Sequence, residues 1–266
     1  MAVTLTVLGS GSKGNSTVVC SSNTRILVDA GFSCRETLRR MQQAGLDPYA
    51  LNAILVSHEH SDHVNGVFVL ARKLKIPVFM TSATHEQWWR SVRDRYDGER
   101  LAMLETFEAG RAFHIGDVEV MPFTIPHDSV DPVGFAFRAE GVRLGVVTDL
   151  GYMPENVKYF VRSCDCLMVE SNHDLEMLRS GPYPWAVKQR VLSKKGHLSN
   201  DALAEFFATD YDGAAAFLIL AHLSEANNHP EIARDAAEKA LGGRVGLIQN
   251  RILLALQDQP LETVCL

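Results

Sequence analysis

Residues 58–63 read His-Glu-His-Ser-Asp-His, directly after the apolar run Ala53-Ile54-Leu55-Val56. A short apolar run bounded by polar residues predicts a buried strand, so Ser57 onward forms the loop at its C-terminal end. Three imidazoles and two carboxylates then leave one rigid platform almost within a turn of chain, the arrangement that lets side chains converge on a point. Neutral imidazole suits zinc, iron or manganese, and carboxylates accept the same ions. The competing reading is a solvated polar loop with accidental histidines. It weakens once further ligand candidates turn up at other strand ends.

Strand signals recur at 2–8, 17–20, 25–29, 52–56, 76–80, 117–124, 133–138, 142–148, 165–170, 215–220 and 250–256, as apolar runs bounded by Gly, Pro, Asn or Asp. Helical patterns lie at about 34–44, 64–74, 84–95, 154–162, 184–193, 199–210 and 230–241. Ser199-Asn200-Asp201 reads as a helix start, and His229-Pro230 as another with proline at or near the first helical position. The first half reads as a strand-rich meander and the second as alternating strands and helices. No linker or repeat divides them, so the expectation is one domain over residues 1–266, α+β, with two β-sheets packed together and helices on the outer faces.

At 266 residues, 46% apolar and 22% charged, the chain is long enough to bury a substantial core. The longest apolar stretches, such as Ala214 to Ala221, fall far short of the ~20 residues a membrane span requires. The N-terminus alternates like a strand and lacks the basic segment of a signal peptide, so a cytoplasmic enzyme with no membrane contact is the expectation. A net charge of −6 argues against a protein that coats polyanions, though not against one with a local basic patch. Lys188, Arg190, Lys194 and Lys195 form a candidate patch; the plainer reading is a solvated helix face. The five cysteines offer no even disulfide framework, and Cys164-Asp-Cys166 reads as core flanking a buried strand.

Three more polar residues follow buried runs: His127 after Phe123-Thr-Ile-Pro126, Asp149 after Leu144-Gly-Val-Val-Thr, and His222 after Phe217-Leu-Ile-Leu-Ala. Each alone has a structural reading, as a capped strand end or a histidine bonded to backbone. Together with the hexapeptide they form a metal-binding constellation.

With Asp29 in Leu-Val-Asp-Ala-Gly, His58-x-His60-x-Asp62-His63, then His127, Asp149 and His222 in that order, the chain resembles the metallo-β-lactamase fold superfamily. The match runs along nearly the whole sequence. It implies a four-layer αβ/βα sandwich of two mixed β-sheets covered by helices. It also implies two divalent ions, zinc or manganese: His58, His60 and His127 hold one, Asp62, His63 and His222 the other, and Asp149 bridges them. Asp29 becomes a support beneath the histidines. Gly9-Ser-Gly-Ser-Lys-Gly-Asn-Ser16, Glu170-Ser-Asn-His-Asp174, Gly181-Pro-Tyr-Pro-Trp185, Gly196-His-Leu-Ser-Asn200 and Ala221-His-Leu-Ser224 narrow the resemblance to the YycJ/WalJ group. That group implies a metal-dependent DNA exonuclease of 5′-to-3′ type. Gly196-His197-Leu-Ser is also similar to an element of ribonuclease Z-like enzymes, in which the histidine lies at the scissile phosphate. No long insertion of the ribonuclease J kind is present, and no protruding arm of the ribonuclease Z kind is recognisable.

Two closely spaced metals bridge a water and lower its pKa towards neutrality, which gives hydroxide for in-line attack on phosphorus. Asp62 would orient that hydroxide, and His197 is the candidate proton donor to the leaving oxygen; the plainer reading of His197 is a helix-start histidine. The glycine-rich segment could bind an anion through its amides, with Ser10, Ser12, Lys13 and Asn15 as phosphate contacts, or be a plain tight turn. Asn172 and His173, on the same rim, are candidates for binding substrate or a terminal phosphate, or equally for stabilising the loop. No cysteine falls at the strand end where zinc β-lactamases would place a soft ligand. Two other readings stay open: a metal-dependent hydrolase of a small thioester or lactone, and a metal-stabilised regulatory protein without turnover. A homodimer is compatible with the C-terminal strand, or the helix at about 84–95 that carries Trp88 and Trp89, acting as an interface.

Overall fold

The computed structural model describes residues 3–242 and 250–266. The first sheet is built in chain order from β1 (Thr4–Gly9), β2 (Ser16–Cys20), β3 (Arg25–Val28), β4 (Ala53–Leu55), β5 (Val78–Thr81) and β6 (Leu104–Phe107). The second follows with β7 (Phe113–Ile115), β8 (Val118–Thr124), β9 (Val133–Ala139), β10 (Val142–Val147), β11 (Cys166–Glu170), β12 (Phe217–Ala221) and β13 (Arg251–Leu254). The chain then returns to the first sheet, where β14 (Val264–Cys265) pairs with β1.

Both sheets share one plan. An antiparallel meander, β1 to β3 in one and β7 to β10 in the other, leads into parallel strands, β3 to β6 and β10 to β13. The first half is therefore no plain meander: its parallel part carries helical crossovers like those of the second half. The crossovers there are α1 (Cys34–Gln43), α2 (Ser61–Val64), α3 (Val67–Leu74) and α4 (Ser82–Val92); the second half contributes α5 (Glu155–Val161), α6 (Leu175–Ser180), α7 (Trp185–Val191), α8 (Asn200–Thr209) and α9 (Pro230–Leu241). His229 and Pro230 start α9, and Ser199 Oγ caps α8 by accepting from Ala202 N.

The unbroken apolar runs are explained by burial on both faces. In β3, Ile26 and Val28 face the other sheet while Leu27 faces the helices; in β4, Leu55 and Ile54 divide the same way. The inter-sheet core joins Leu5, Val7 and Val28 to Phe135, Phe137 and Met168. Outer layers pack Trp88, Leu70 and Met41 on the first sheet, and Phe206, Phe207 and Val157 on the second. This is the four-layer αβ/βα sandwich. Cys164 and Cys166 are buried, and burial pushes both thiols up to about 12, so they pack as apolar groups.

Several expected boundaries move. The helix expected over 64–74 is broken at Gly66, which leaves α2 and α3 separate, and the pattern at 84–95 ends α4 at Val92 before a 3₁₀ turn over Arg93–Tyr96. The strand expected at 2–8 begins at Thr4, with Ala2 outside the described residues. Lys188 of the candidate basic patch is buried and donates to Arg179 O at 2.7 Å, so that helix face is not uniformly solvated.

Candidate metal centre

Every side chain of the centre projects from the C-terminal edge of the sandwich: Asp29 after β3, the hexapeptide after β4, His127 after β8, Asp149 after β10, Glu170 at the end of β11 and His222 after β12. Parallel strands end together there and open a crevice. Asp29, Asp149 and His222 adopt left-handed backbone, with φ of 58°, 63° and 55°. Such conformations cost about 1–3 kcal/mol each and persist only where surrounding contacts fix them. Close approach adds a further constraint at Gly31, where a methyl group would overlap the carbonyl oxygen of Asp62.

His58 Nε2 lies 3.2 Å from His60 Nδ1, which lies 3.2 Å from His127 Nε2. Asp62 Oδ2, His63 Nε2 and His222 form a second set, with His63 Nε2 at 3.5 Å and His222 Nε2 at 3.7 Å from that oxygen. Asp149 groups with His58 of the first set and His63 of the second, its Oδ2 at 3.3 Å from His63 Nε2. Ligand atoms held ~2.1 Å from a tetrahedral ion stand about 3.4 Å apart, which these spacings approximate.

Supporting bonds fix which nitrogen of each ring faces inward. His63 Nδ1 is 2.8 Å from Asp29 Oδ2, His58 Nδ1 is 3.0 Å from Ser57 Oγ, and His127 Nδ1 is 3.2 Å from Gly196 O. Ser57 Oγ and N both donate to Asp29, at 2.8 Å. Two inward atoms, Asp149 Oδ2 and His222 Nε2, are buried with no hydrogen-bond partner, a costly condition that a cation relieves.

Electrostatics point the same way. Burial pushes Asp149 up, yet the His222 and His63 charges hold it well below the usual carboxylate range. Burial alone would lower His63 and His222; Asp149 with Asp29 and Asp62 raises the first well above its usual value, and Asp149, Asp62 and Glu170 raise the second. His58 is driven well below by burial and by the His63 charge. The carboxylates thus draw protons onto buried imidazoles, and the residues present fit divalent metal ions.

Sequence reasoning missed Glu170 as a site residue. It is fully buried, and Oε1 stands 2.7 Å from His197 Nδ1 and 2.8 Å from His222 Nδ1. Oε2 accepts from Leu150 N at 2.8 Å and Leu198 N at 3.1 Å. Burial pushes this carboxyl up, but the His197 charge and the two imidazole bonds outweigh it and hold it at about 2. The available signal was the one that exposed Asp149, an apolar strand ending in an acid. His197 stands on the rim, its ring 5.0 Å from that of His222 and 5.3 Å from that of His127.

The residues expected to meet substrate divide. Ser10 is buried, donates to Asn15 Oδ1 at 3.0 Å and accepts from His222 N at 2.9 Å. Asn15 is buried, with Nδ2 3.2 Å from Asp62 Oδ2, 3.0 Å from His63 Nε2 and 3.1 Å from Gly11 O. Asn172 Nδ2 donates to His222 O at 2.8 Å. His173 is buried, burial lowers it to about 4, and its Nε2 has no partner. Ser12 and Lys13 are exposed, the latter ion-paired with Glu225 at 2.6 Å. We expect Asn15→Ala to lower affinity for a divalent ion roughly 10- to 100-fold, the usual effect of removing a bond that orients a ligand. Titration against a chelating dye checks this, and unchanged affinity would refute it.

The chain matches the model of the Beta-lactamase superfamily domain over residues 24–222. It is 37% identical over 241 residues to the exodeoxyribonuclease YycJ of Bacillus anthracis, covering 91% of this chain and 90% of that protein. The chain belongs to the metallo-β-lactamase superfamily, in the YycJ/WalJ group. Exodeoxyribonuclease WalJ of Streptococcus pneumoniae strain D39 is likewise 37% identical, over 85% of this chain and 84% of its own. Among solved structures, the metallo-β-lactamase fold protein YhfI of Bacillus subtilis matches with a TM-score of 0.72 at 16% identity, covering 98% and 99% of the two chains. That likeness carries the fold alone. As a member of this superfamily the chain is a metal-dependent hydrolase of the kind that includes nucleases and phosphodiesterases, and its His/Asp clusters are arranged so that they could hold divalent ions.

Proposed function

We propose that the protein is a DNA exonuclease, of 5′-to-3′ type, that hydrolyses phosphodiester bonds. The observation that carries this reading is the relatedness along nine-tenths of both chains to an exodeoxyribonuclease. His58, His60 and His127 would hold one ion, Asp62, His63 and His222 a second, and Asp149 both, with zinc or manganese as the metal. When bound, the ions supply Lewis acidity at the phosphoryl oxygens and lower the pKa of an attacking water.

The chain's own groups do the rest. Asp62 orients the water by accepting a hydrogen bond from it, with Asn15 Nδ2 donating to the carboxylate at 3.2 Å. His197 donates a proton from Nε2 to the leaving oxygen. Glu170 at 2.7 Å holds the Nδ1 proton in place and stabilises the imidazolium before transfer. Ser12 and His173 are the substrate contacts; Ser10, Asn15 and Asn172 serve by holding the backbone and side chains around His222 and Asp62. No helix among the described residues is long and apolar enough to cross a membrane.

The test is incubation of end-labelled DNA, bearing 5′-phosphate or 5′-hydroxyl ends, with zinc- or manganese-loaded protein and with chelator-treated protein. Release of labelled mononucleotide by the loaded protein alone is the expected outcome. Absence of cleavage with every divalent ion tried would overturn the DNA substrate and turn the search to small esters.

A further inference from the structure

One cleft of about 520 Å³ shares a wall with the metal centre: His60 and Asp128 lie at one end, and Gln87, Ser91 and Arg95 line the side formed by α4 and the 3₁₀ turn after it. Its floor is rigid. Trp88 is buried, and Tyr96 stacks on Phe68 with ring centroids 3.9 Å apart. The volume lies within the ~300–1,000 Å³ of ordinary ligand sites.

The polar groups along this cleft divide by charge. Both carboxylates are already engaged: Glu59 accepts from Ser129 Oγ at 2.6 Å and Val130 N at 3.1 Å, and Asp128 takes Arg190 Nε at 2.5 Å and Nη2 at 3.2 Å. The donors are not. The side chains of Asn65, Gln87 and Arg95 are exposed and form no hydrogen bond or ion pair among the described residues. Arg190 offsets the charge of Asp128, Glu59 keeps its own, and Arg95 is the unpaired cation of the lining, the place where a phosphate would be held. A guanidinium is well suited to grip a phosphodiester through two parallel N–H bonds.

We infer that this cleft seats the nucleic-acid strand on one side of the scissile phosphate, with Arg95 anchoring a phosphate that is not cut. This rests on the nuclease reading above and adds to it a path for the strand, from the His60 end of the centre along α4 to the turn over Arg93–Tyr96. Phosphate contacts position a strand without reading its sequence, so the site takes a DNA strand without base preference.

The experiment compares steady-state cleavage of an oligonucleotide, single-stranded and as its duplex, by metal-loaded wild type, Arg95→Ala and Arg93→Ala across a series of salt concentrations. Arg93 lies on the same turn, pairs with Asp94 at 3.3 Å and does not line the cleft, so its variant removes an equal charge elsewhere. Arg95→Ala should raise KM roughly 5- to 20-fold with kcat within about twofold, and lower the slope of log(kcat/KM) against log salt by about 0.7. Arg93→Ala should track the wild type. Cleavage in which both variants behave alike overturns the cleft assignment and leaves the nuclease reading intact. Absence of cleavage by the wild type overturns the nuclease reading, and the cleft's ligand with it.

Discussion

Asp149→Asn is expected to lower phosphodiester hydrolysis by roughly 10³-fold or more and to strip the centre of most of its affinity for metal. One buried carboxylate stands within reach of four imidazoles: His63 Nε2 and His222 Nδ1 at 3.3 Å, His197 Nδ1 at 3.8 Å and His127 Nε2 at 3.9 Å. Asp149 groups with His58 of one ligand set and His63 of the other, and its buried Oδ2 has no hydrogen-bond partner among the described residues. Asparagine is the informative replacement because it tolerates the φ of 63°. Alanine there would add backbone strain of about 1–2 kcal/mol and blur the result. The amide keeps shape and loses charge, so any deficit reports the missing anion. Thermal unfolding with and without metal gives an independent readout. A ligand at a hundred times its Kd stabilises by about 2.7 kcal/mol, and that increment should shrink towards zero in the variant. Retention of both the increment and the activity would show that Asp149 does not hold the ions.

The legible parts of the chain were those in which a buried strand runs into a ligand. His127, Asp149 and His222 each follow an apolar run, and each lies on the C-terminal edge where the centre assembles. Strands with a single buried face gave less. β6 is half exposed, with Glu105 and Thr106 in water, and β7 and β14 span only Phe113–Ile115 and Val264–Cys265, too short for a period to register. The shared plan of the two sheets left no repeat in the sequence. Strand pairing is set by which faces are buried and not by residue identity, so similar topologies need not look alike.

The glycine-rich segment illustrates a different limit. Ser10, Ser12, Lys13 and Asn15 share a loop that follows a strand, and composition suits an anion nest and a tight turn equally. Only the three-dimensional contacts reveal that Ser10 and Asn15 face inward, to His222 N and to Asp62 and His63, while Ser12 and Lys13 face solvent. Gln257 ties the loop down from the far end of the chain, accepting from Lys13 N at 2.7 Å and donating to Gly14 O at 3.0 Å. A contact between residues 244 positions apart leaves no local pattern. Ligands announce themselves through strand ends; the groups that aim them are dispersed.

Glu170 brings those threads together, because one carboxylate aims two histidines with different tasks. Oε1 accepts from His197, the proposed proton donor, and from His222, a proposed ligand, and Oε2 accepts from Leu150 and Leu198 amides. Glu170→Gln should therefore be far from conservative. If the new NH₂ faces the imidazoles, each Nδ1 must become an acceptor. The His222 proton then moves to Nε2, the atom otherwise free for metal, and His197 loses the anion that stabilises its imidazolium. If the NH₂ faces the other way, it meets the Leu150 and Leu198 N–H groups, and two buried donors lose their partner. Either outcome costs about 3–5 kcal/mol of stability, the scale for breaking a buried charge pair on one side. It also costs roughly 10²- to 10³-fold in turnover from loss of the positioned acid and a ligand tautomer. Urea unfolding and metal stoichiometry separate the two orientations: fewer ions per chain marks the first, a lower unfolding midpoint with ions retained marks the second. A variant as stable, as fully loaded and as active as the wild type would show that Glu170 is not the group that orients His197 and His222.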